Sequence, residues 1–337
     1  MKKGIACIGN LIVDIIKEIH AYPELGNLAT INNISYTTGG LVPNCLLDLI
    51  KIDPLLHLEA VGLVGADEYG DYIINTLSEA GINTKHIGRH RKLGTSFTDV
   101  MSEKDGGERA FFQFRGANAA LDAAHIDLES INADILHVGY VLLLDSLDEV
   151  DDEYGTVLAK ILARAQKFGF KTSIDVVSEQ GNRFKKLVPP NLKYTDYCII
   201  NEIEASMTTE IECRDKNGVL MLKNIEKICR AVKALGVRQW VVIHCPEGSF
   251  ALDKNDDYLC LPSIAIPESD IAGKTGAGDA FCSGALYGAY KEMPLLEALK
   301  LATCAAAASL TCKGATDGMR SADELYGMID KYGFNTL

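Results

Sequence analysis

The sequence has no apolar run able to cross a bilayer. Its longest stretch of small apolar residues, Cys304 to Leu310, is far short of the ~20 residues a membrane helix needs. Lys2 and Lys3 before an apolar run imitate a signal peptide. Gly9, Asn10 and Asp14 break that run and no A-x-A pattern follows, so a cytoplasmic chain is expected. Basic charge is short as well: 33 Lys and Arg stand against 46 Asp and Glu, a net charge of −13. Nucleic acids and anionic membranes both require a basic face, so neither is an expected partner. The ten cysteines include no C-x-x-C pair and are read as reduced, mostly buried thiols. Internal repeats, low-complexity segments and Pro/Ser linkers are absent, as is the G-x-S-x-G elbow of serine hydrolases.

What is present is a core and a rhythm. Hydrophobic residues make up 47% of the 337, which excludes disorder as the main character. Short β-rich runs at Ile5–Ile8, Leu58–Val64, Ile135–Val138, Thr172–Val176, Tyr197–Ile200 and Trp240–His244 alternate with helical patterns such as Glu68–Ala80, Gly155–Phe168, Asn217–Leu235, Ala277–Lys291 and Leu295–Thr311. That alternation predicts a mostly parallel sheet covered by helices on both faces. Val13–Tyr36 and Lys92–Phe114 depart from it with alternating, more polar patterns. They are expected to form antiparallel strands of one small accessory sheet. The acidic run Asp145–Glu153 reads as a solvated helix start, and His86 and His90, with Gly88 between them, as a loop.

Three constellations carry chemistry. Gly273-Lys274-Thr275-Gly276-Ala277-Gly278-Asp279 follows a β-like region and opens a helix of small residues. Glycine allows close backbone approach, and free N–H groups at a helix start make an anion hole. Asp279 beside such a hole is suited to taking a proton from an attacking hydroxyl; its alternative role is a helix cap. A P-loop is rejected, because its first glycine would fall at Glu268. Asn201-Glu202-Ile203-Glu204 follows a strand end, where open α/β sheets place ligands. Asn201 and Glu204 can hold a hydrated Mg²⁺, and fit an N-terminal cap equally well. Near the N-terminus, Asp14 and the segment Gly39-Gly40-Leu41-Val42-Pro43-Asn44 offer a carboxylate, a glycine pair and an amide suited to a polyol.

Taken in order and spacing, these elements resemble the PfkB-type, or ribokinase-like, carbohydrate kinase family over essentially the whole chain. The N-terminal signature looks like Gly39-Gly40 through Asn44 and on to Gly62-Leu63-Val64-Gly65-Ala66-Asp67-Glu68-Tyr69-Gly70. The C-terminal one looks like Thr275 through Phe281, with Ala305–Ala308 and Lys313-Gly314-Ala315 resembling the helix and loop beside an adenine. The resemblance implies a three-layer α/β/α fold with a central sheet of about eight or nine strands and a β lid. It places the main domain at residues 1–12, 37–91 and 115–337 and the lid at 13–36 and 92–114. It implies transfer of the γ-phosphate of ATP to a small carbohydrate, with Asp279 as general base. Thr275, Gly276, Ala277, Gly278, Asn201, Glu204, Gly248 and Gly314 would serve the nucleotide and anion hole. Asp14, Gly39, Gly40, Asn44 and Arg115 would serve the substrate. Mg²⁺ would be held by Glu204 through water, and a homodimer would form through the lid.

The chain also departs from the family pattern. Gly273 stands where many members carry the Asp of a monovalent-cation loop, so weak potassium stimulation is expected, with the carbonyls of Ser309 and Gly314 as remaining ligands. Lys274 replaces a usual Thr, and Ile12 stands where ribokinases carry a polar sugar contact. Two other readings stay open: a nucleoside kinase, with Tyr140 or Phe111, Phe112 and Phe114 stacking a base, and a non-catalytic ligand-binding protein on the same fold.

Overall fold

The structure is a computed structural model that describes residues 4–103, 109–179 and 181–337. The elements of the N-terminal half are β1 (Ile5–Ile8), β2 (Ile12–Ile19), β3 (Ile31–Gly39), α1 (Leu41–Ile52), β4 (Leu58–Gly65), α2 (Glu68–Glu79), β5 (Asn83–His90), β6 (Ser96–Glu103), β7 (Arg109–Phe114) and β8 (Ile135–Val141). Those of the C-terminal half are α3 (Val157–Lys167), β9 (Lys171–Val176), α4 (Phe184–Leu192), β10 (Tyr197–Asn201), α5 (Glu202–Thr209), α6 (Leu222–Ala234), β11 (Trp240–Cys245), β12 (Gly248–Leu252), β13 (Tyr258–Pro262), α7 (Ala277–Tyr290), α8 (Leu295–Leu310) and α9 (Ala322–Tyr332).

Nine strands form one sheet in the order β13-β12-β11-β10-β9-β8-β1-β4-β5. Pairing is parallel from β11 to β5, and β12 and β13 add an antiparallel hairpin at one edge. Alternate residues of each strand serve opposite faces. Ile5 and Cys7 enter a core shared with α1, α7 and α8, while Ala6 and Ile8 enter a second core shared with α3, α4 and α6. Burial on both faces accounts for the uniformly apolar strands. Seven of the ten thiols are buried and all ten are free. Among the described residues, no helix is long and apolar enough to cross a membrane.

The second sheet has four strands in the order β3-β2-β6-β7. Here the all-antiparallel expectation is corrected, because β2 and β6 run parallel. The reason lies in the main sheet. Strands β1 and β5 point the same way, and β2 and β6 follow them after only residues 9–11 and 91–95, so both leave the main sheet in one direction. An aromatic row ties this sheet to α2: Tyr69 lies 6.3 Å from Tyr36 and 6.1 Å from Phe97, and Phe97 lies 5.3 Å from Phe114, between ring centroids. Such pairs contribute about 0.5–1.5 kcal/mol each beyond burial.

Two local readings also change. His86 and His90 sit in edge strand β5 and not in a loop, with Gly88 packed over Leu63. The acidic run at 145–153 precedes α3 without starting it. Its Asp148 is buried and accepts the backbone N–H groups of Leu142 and Leu144 at 3.2 and 3.1 Å.

Helices α7 and α8 cross in very close contact. A Cβ on Gly284 would lie 2.6 Å from the Cα of Ala302, and one on Gly288 would lie 2.5 Å from the Cβ of Ala298. We expect Gly284→Val to force the helices apart and lower the free energy of unfolding by about 2–3 kcal/mol, as overpacking of a tight core does. Urea unfolding measures this, and a change below about 0.5 kcal/mol would show that the crossing relaxes.

Candidate active site

The site begins where α7 begins. Gly276, at φ 82°, is the last residue before the helix, and a Cβ there would lie 2.4 Å from the carbonyl oxygen of Ala315. Only glycine meets both demands. The first intrahelical bond runs from the Ala280 N–H to the Gly276 carbonyl at 2.8 Å. No side chain caps this end. The first-turn N–H groups and the positive end of the helix dipole therefore face the cleft. Arg109, from β7 of the second sheet, reaches across and donates to the Thr275 hydroxyl at 2.6 Å.

Asp279 lies one turn into that helix and is buried. Asn44 Nδ2 donates to its Oδ2 at 2.8 Å, and the Tyr140 hydroxyl lies 2.9 and 3.0 Å from its two oxygens. Burial raises its carboxyl to about 6 against the pull of these two donors, with Asp14 among the smaller influences that raise it. Tyr140 reaches this position from a left-handed backbone, φ 60°, a conformation costly for a bulky residue and often found at functional sites. Asp14, in β2, is likewise raised to about 6 by burial, opposed by a hydrogen bond from Thr98 across the sheet. Gly39 is what makes room for it: a Cβ there would lie 2.2 Å from Asp14 Oδ2. Beside these groups, Asn44 Oδ1 and Asn10 Nδ2 are buried without a partner.

A cavity of about 280 Å³ connects Asp279, Gly276 and Gly278 with Tyr140, Asp175, Ser178, Asn201 and Glu204. Asn201 and Glu204 form a reciprocal cap on α5. The Asn201 side chain accepts the Glu204 N–H at 2.9 Å, and Glu204 Oε2 accepts the Asn201 N–H at 2.9 Å. Ser178 Oγ and Asn201 Nδ2 donate to the other Glu204 oxygen at 2.8 and 2.7 Å. The capping reading of this pair is thus realised, and the pair also lines the cleft. Burial still drives Glu204 up to about 7 and Asp175 well above the usual carboxylate range. Three carboxyls line this cavity, and no lysine or arginine is among its lining residues. That donor set suits a hydrated divalent cation, and Mg²⁺ retains most of its water.

A second cavity, of about 630 Å³, shares Asn201, His244 and Gly278 with the first. Its walls include Gly248, Ile264, Ile271, Phe281, Ala306, Ala307 and Leu310, with Lys274 at its edge. An apolar slot next to an anion hole fits a nucleotide base and its phosphates. The Gly314 loop packs against the glycine turn through Ala315. Arg115 stands apart from both cavities: its guanidinium donates to the Leu143 carbonyl at 3.1 Å and lies 3.4 Å from Asp145.

Four groups escaped sequence reasoning in these roles. Tyr140, which the sequence offers as a stacking ring, holds Asp279 with its hydroxyl. Ser178 and Arg109 meet their partners only through the fold. His244, whose ring lies 4.8 Å from that of Phe281, is half-buried and held down at about 4 by loss of water, so it stands in the shared wall as a neutral imidazole.

Comparison with known proteins agrees with this geometry. A model of the pfkB family of carbohydrate kinases matches residues 2–322. A 5-dehydro-2-deoxygluconokinase of Listeria monocytogenes is 24% identical over 311 residues, covering 86% of each chain. Among solved structures, a ribokinase of Thermotoga maritima superposes with a TM-score of 0.78 at 23% identity, covering 97% of this chain and 99% of the other. An Arabidopsis thaliana ribokinase complexed with ribose and ATP also gives 0.78, at 21% identity, covering 98% and 99%.

The raised carboxyls have a consequence for stability. A carboxyl whose folded value lies above its unfolded one stabilises fully below the unfolded value and loses that contribution as pH rises through the folded value. For Asp279, the gap between 3.8 and about 6 corresponds to about 3 kcal/mol. Asp279 therefore contributes more stability at pH 5 than at pH 8, while His137 and His244, held at about 4, act in the opposite direction. Asp279→Asn should recover about 1–1.5 kcal/mol at pH 8 relative to its effect at pH 5. Urea unfolding of both proteins at both pH values tests this; parallel pH profiles would mean Asp279 does not titrate in this window.

Proposed function

The chain belongs to the pfkB family of carbohydrate kinases and is a sugar kinase, and from that premise we propose how its cleft works. The donor is ATP, its base in the apolar slot and its phosphates at the start of α7. The acceptor is a polyhydroxy compound beside Asp14, Gly39, Gly40 and Asn44. The observation that carries this reading is Asp279 held by Asn44, whose own Oδ1 has no partner among the described residues, as Asn10 Nδ2 has none. Asn44 Oδ1 and Asn10 Nδ2 are a buried acceptor and a buried donor without partners, and an unmet buried polar group costs about 1–3 kcal/mol. A sugar hydroxyl, which both donates and accepts, satisfies either.

Asp279 takes the proton from the attacking hydroxyl. At about 6 its carboxyl is ionised at neutral pH yet basic enough to accept a proton. Tyr140 and Asn44 fix its orientation. The N–H groups of Ala277 and Gly278, with the helix dipole behind them, stabilise charge on the transferred group. Lys274 and Arg109 add positive charge at the rim. Glu204 and Asn201 would hold Mg²⁺ through water, and the ion would neutralise phosphate charge. Gly273 brings no carboxylate to the monovalent-cation loop, so potassium should stimulate weakly. Arg115 remains a candidate substrate contact only if it leaves Asp145.

The outer face of the second sheet supports a homodimer. Ile34, Tyr36 and Phe112 are exposed there at 48%, 53% and 62%, more apolar surface than a monomer's strand face normally shows. A second copy set against it would cover these side chains. Light scattering of the ligand-free protein at micromolar concentration should give the mass of a dimer; a monomer mass removes this assignment.

ATP consumption with Mg²⁺ should be screened against ribose, ketohexoses, 5-dehydro-2-deoxygluconate and nucleosides, in sodium and in potassium. At least one sugar or sugar acid should be turned over. Asp279→Asn should keep ATP binding and lose about 10²–10⁴-fold in turnover. Near-normal turnover by the variant would falsify Asp279 as base, and nucleoside turnover alone would reassign the acceptor.

A further inference from the structure

In the floor of the smaller cavity, Asp175 meets two side chains, His137 and Cys282, that the phosphoryl-transfer reading does not use. His137 on β8, Asp175 on β9 and Cys282 on α7 are all buried, and their ligand-capable atoms lie within 4.8 Å of one another. Cys282 Sγ is 3.6 Å from His137 Nε2. The other ring nitrogen, Nδ1, is 2.9 Å from the Ser173 hydroxyl. One Asp175 oxygen accepts the Tyr140 N–H. Asp175 and Cys282 both reach the cavity surface, so the group has an entry path.

We propose that His137, Asp175 and Cys282 form a zinc-binding site in the floor of the cleft. A tetrahedral Zn²⁺ has Zn–N of about 2.0–2.1 Å and Zn–S of about 2.3 Å, which sets its nitrogen and sulfur ligands about 3.6 Å apart. The separation between His137 Nε2 and Cys282 Sγ is that of a zinc edge before any ion arrives. The donor set of imidazole, thiolate and carboxylate suits Zn²⁺ and disfavours Mg²⁺, which prefers oxygen alone. Ser173 supplies the outer hydrogen bond that zinc-bound histidines ordinarily make. Three ligands come from the protein, and the fourth place falls to water from the cavity.

Binding forms Zn–N, Zn–S and Zn–O bonds in place of three Zn–water bonds and breaks the Cys282 S–H and Asp175 O–H bonds, whose protons leave to solvent. Burial holds His137 at about 4, so its imidazole is neutral and free to ligate. Hydrogen bonding with Cys45, together with burial, holds the Cys282 thiol well above its ordinary value, and burial does the same for Asp175. A divalent cation supplies the positive charge that both anionic forms lack.

The test reads binding, so it does not depend on which sugar is phosphorylated. The full-length reduced chain, carrying Cys260→Ser to remove its exposed thiol, is stripped of metal and titrated with Co²⁺ alone and then with Zn²⁺. One Co²⁺ per chain should bind, with near-ultraviolet thiolate-to-cobalt absorption that Zn²⁺ abolishes. Cys282→Ala should remove that absorption, and Asp175→Asn should weaken binding roughly 10-fold or more. Absence of the band, or its survival in Cys282→Ala, overturns the site; unchanged affinity in Asp175→Asn removes the carboxylate from it. Should Cys282→Ala fail to fold by circular dichroism, nitrogen NMR of the unsubstituted protein decides. The Nε2 signal of His137 must move on adding Zn²⁺, and an unmoved signal overturns the proposal.

Discussion

Burial of Asp14, Asp175, Glu204 and Asp279 in and beside one cleft sets the terms for everything around it. Each carboxyl is raised by loss of water, and each would be held down in solvent. The surrounding structure offsets part of that cost with directed donors: Thr98 for Asp14, Tyr140 N–H for Asp175, Ser178 and Asn201 for Glu204, Asn44 and the Tyr140 hydroxyl for Asp279. Tyr140 serves two of the four, which gives a physical reason for its strained backbone. Its main-chain N–H and its phenol must face different carboxyls on neighbouring elements.

The same constraint explains how positive charge is arranged. The cleft receives it from fixed dipoles at the start of α7 and from side chains at its rim, Lys274 and Arg109, while the floor holds none among the described residues. A lysine in the floor would lower the buried carboxyls. Dipoles at the helix end place positive potential in the cleft and leave the Asp279 carboxyl raised. The second sheet joins this arrangement through Arg109, whose hydrogen bond to Thr275 connects β7 to the turn before α7.

The fold was legible in the sequence because its signals are local. Continuous apolar runs marked the buried strands, glycine turns marked the openings of α1 and α7, and the two polar, alternating segments marked the second sheet. Edge elements were harder. Strand β5 carries His86, Gly88 and Arg89 because one of its sides is open, and open edges lose the apolar signature. The parallel pairing of β2 with β6 depends on the direction of β1 and β5, which no local pattern encodes. In the cleft, Asp279, Asn201, Glu204 and Asp14 stood out through neighbouring glycines or strand ends. Tyr140 did not, since its partner is 139 residues away. His244, Ser178 and Arg109 share that difficulty. Their part in the site comes from what the topology sets opposite them.

The crossing of α7 and α8 reaches further than stability. Helix α7 carries Asp279 and the N–H groups, and α8 carries Ala306 and Ala307 of the apolar slot. With glycine pressed on alanine at the crossing, the two move as one mechanical part. The apolar slot and the buried carboxyl are then coupled mechanically: a mutation that shifts one shifts the other. The second sheet meets this part through the Arg109–Thr275 hydrogen bond and not through packed helix backbones, so it has more room to vary.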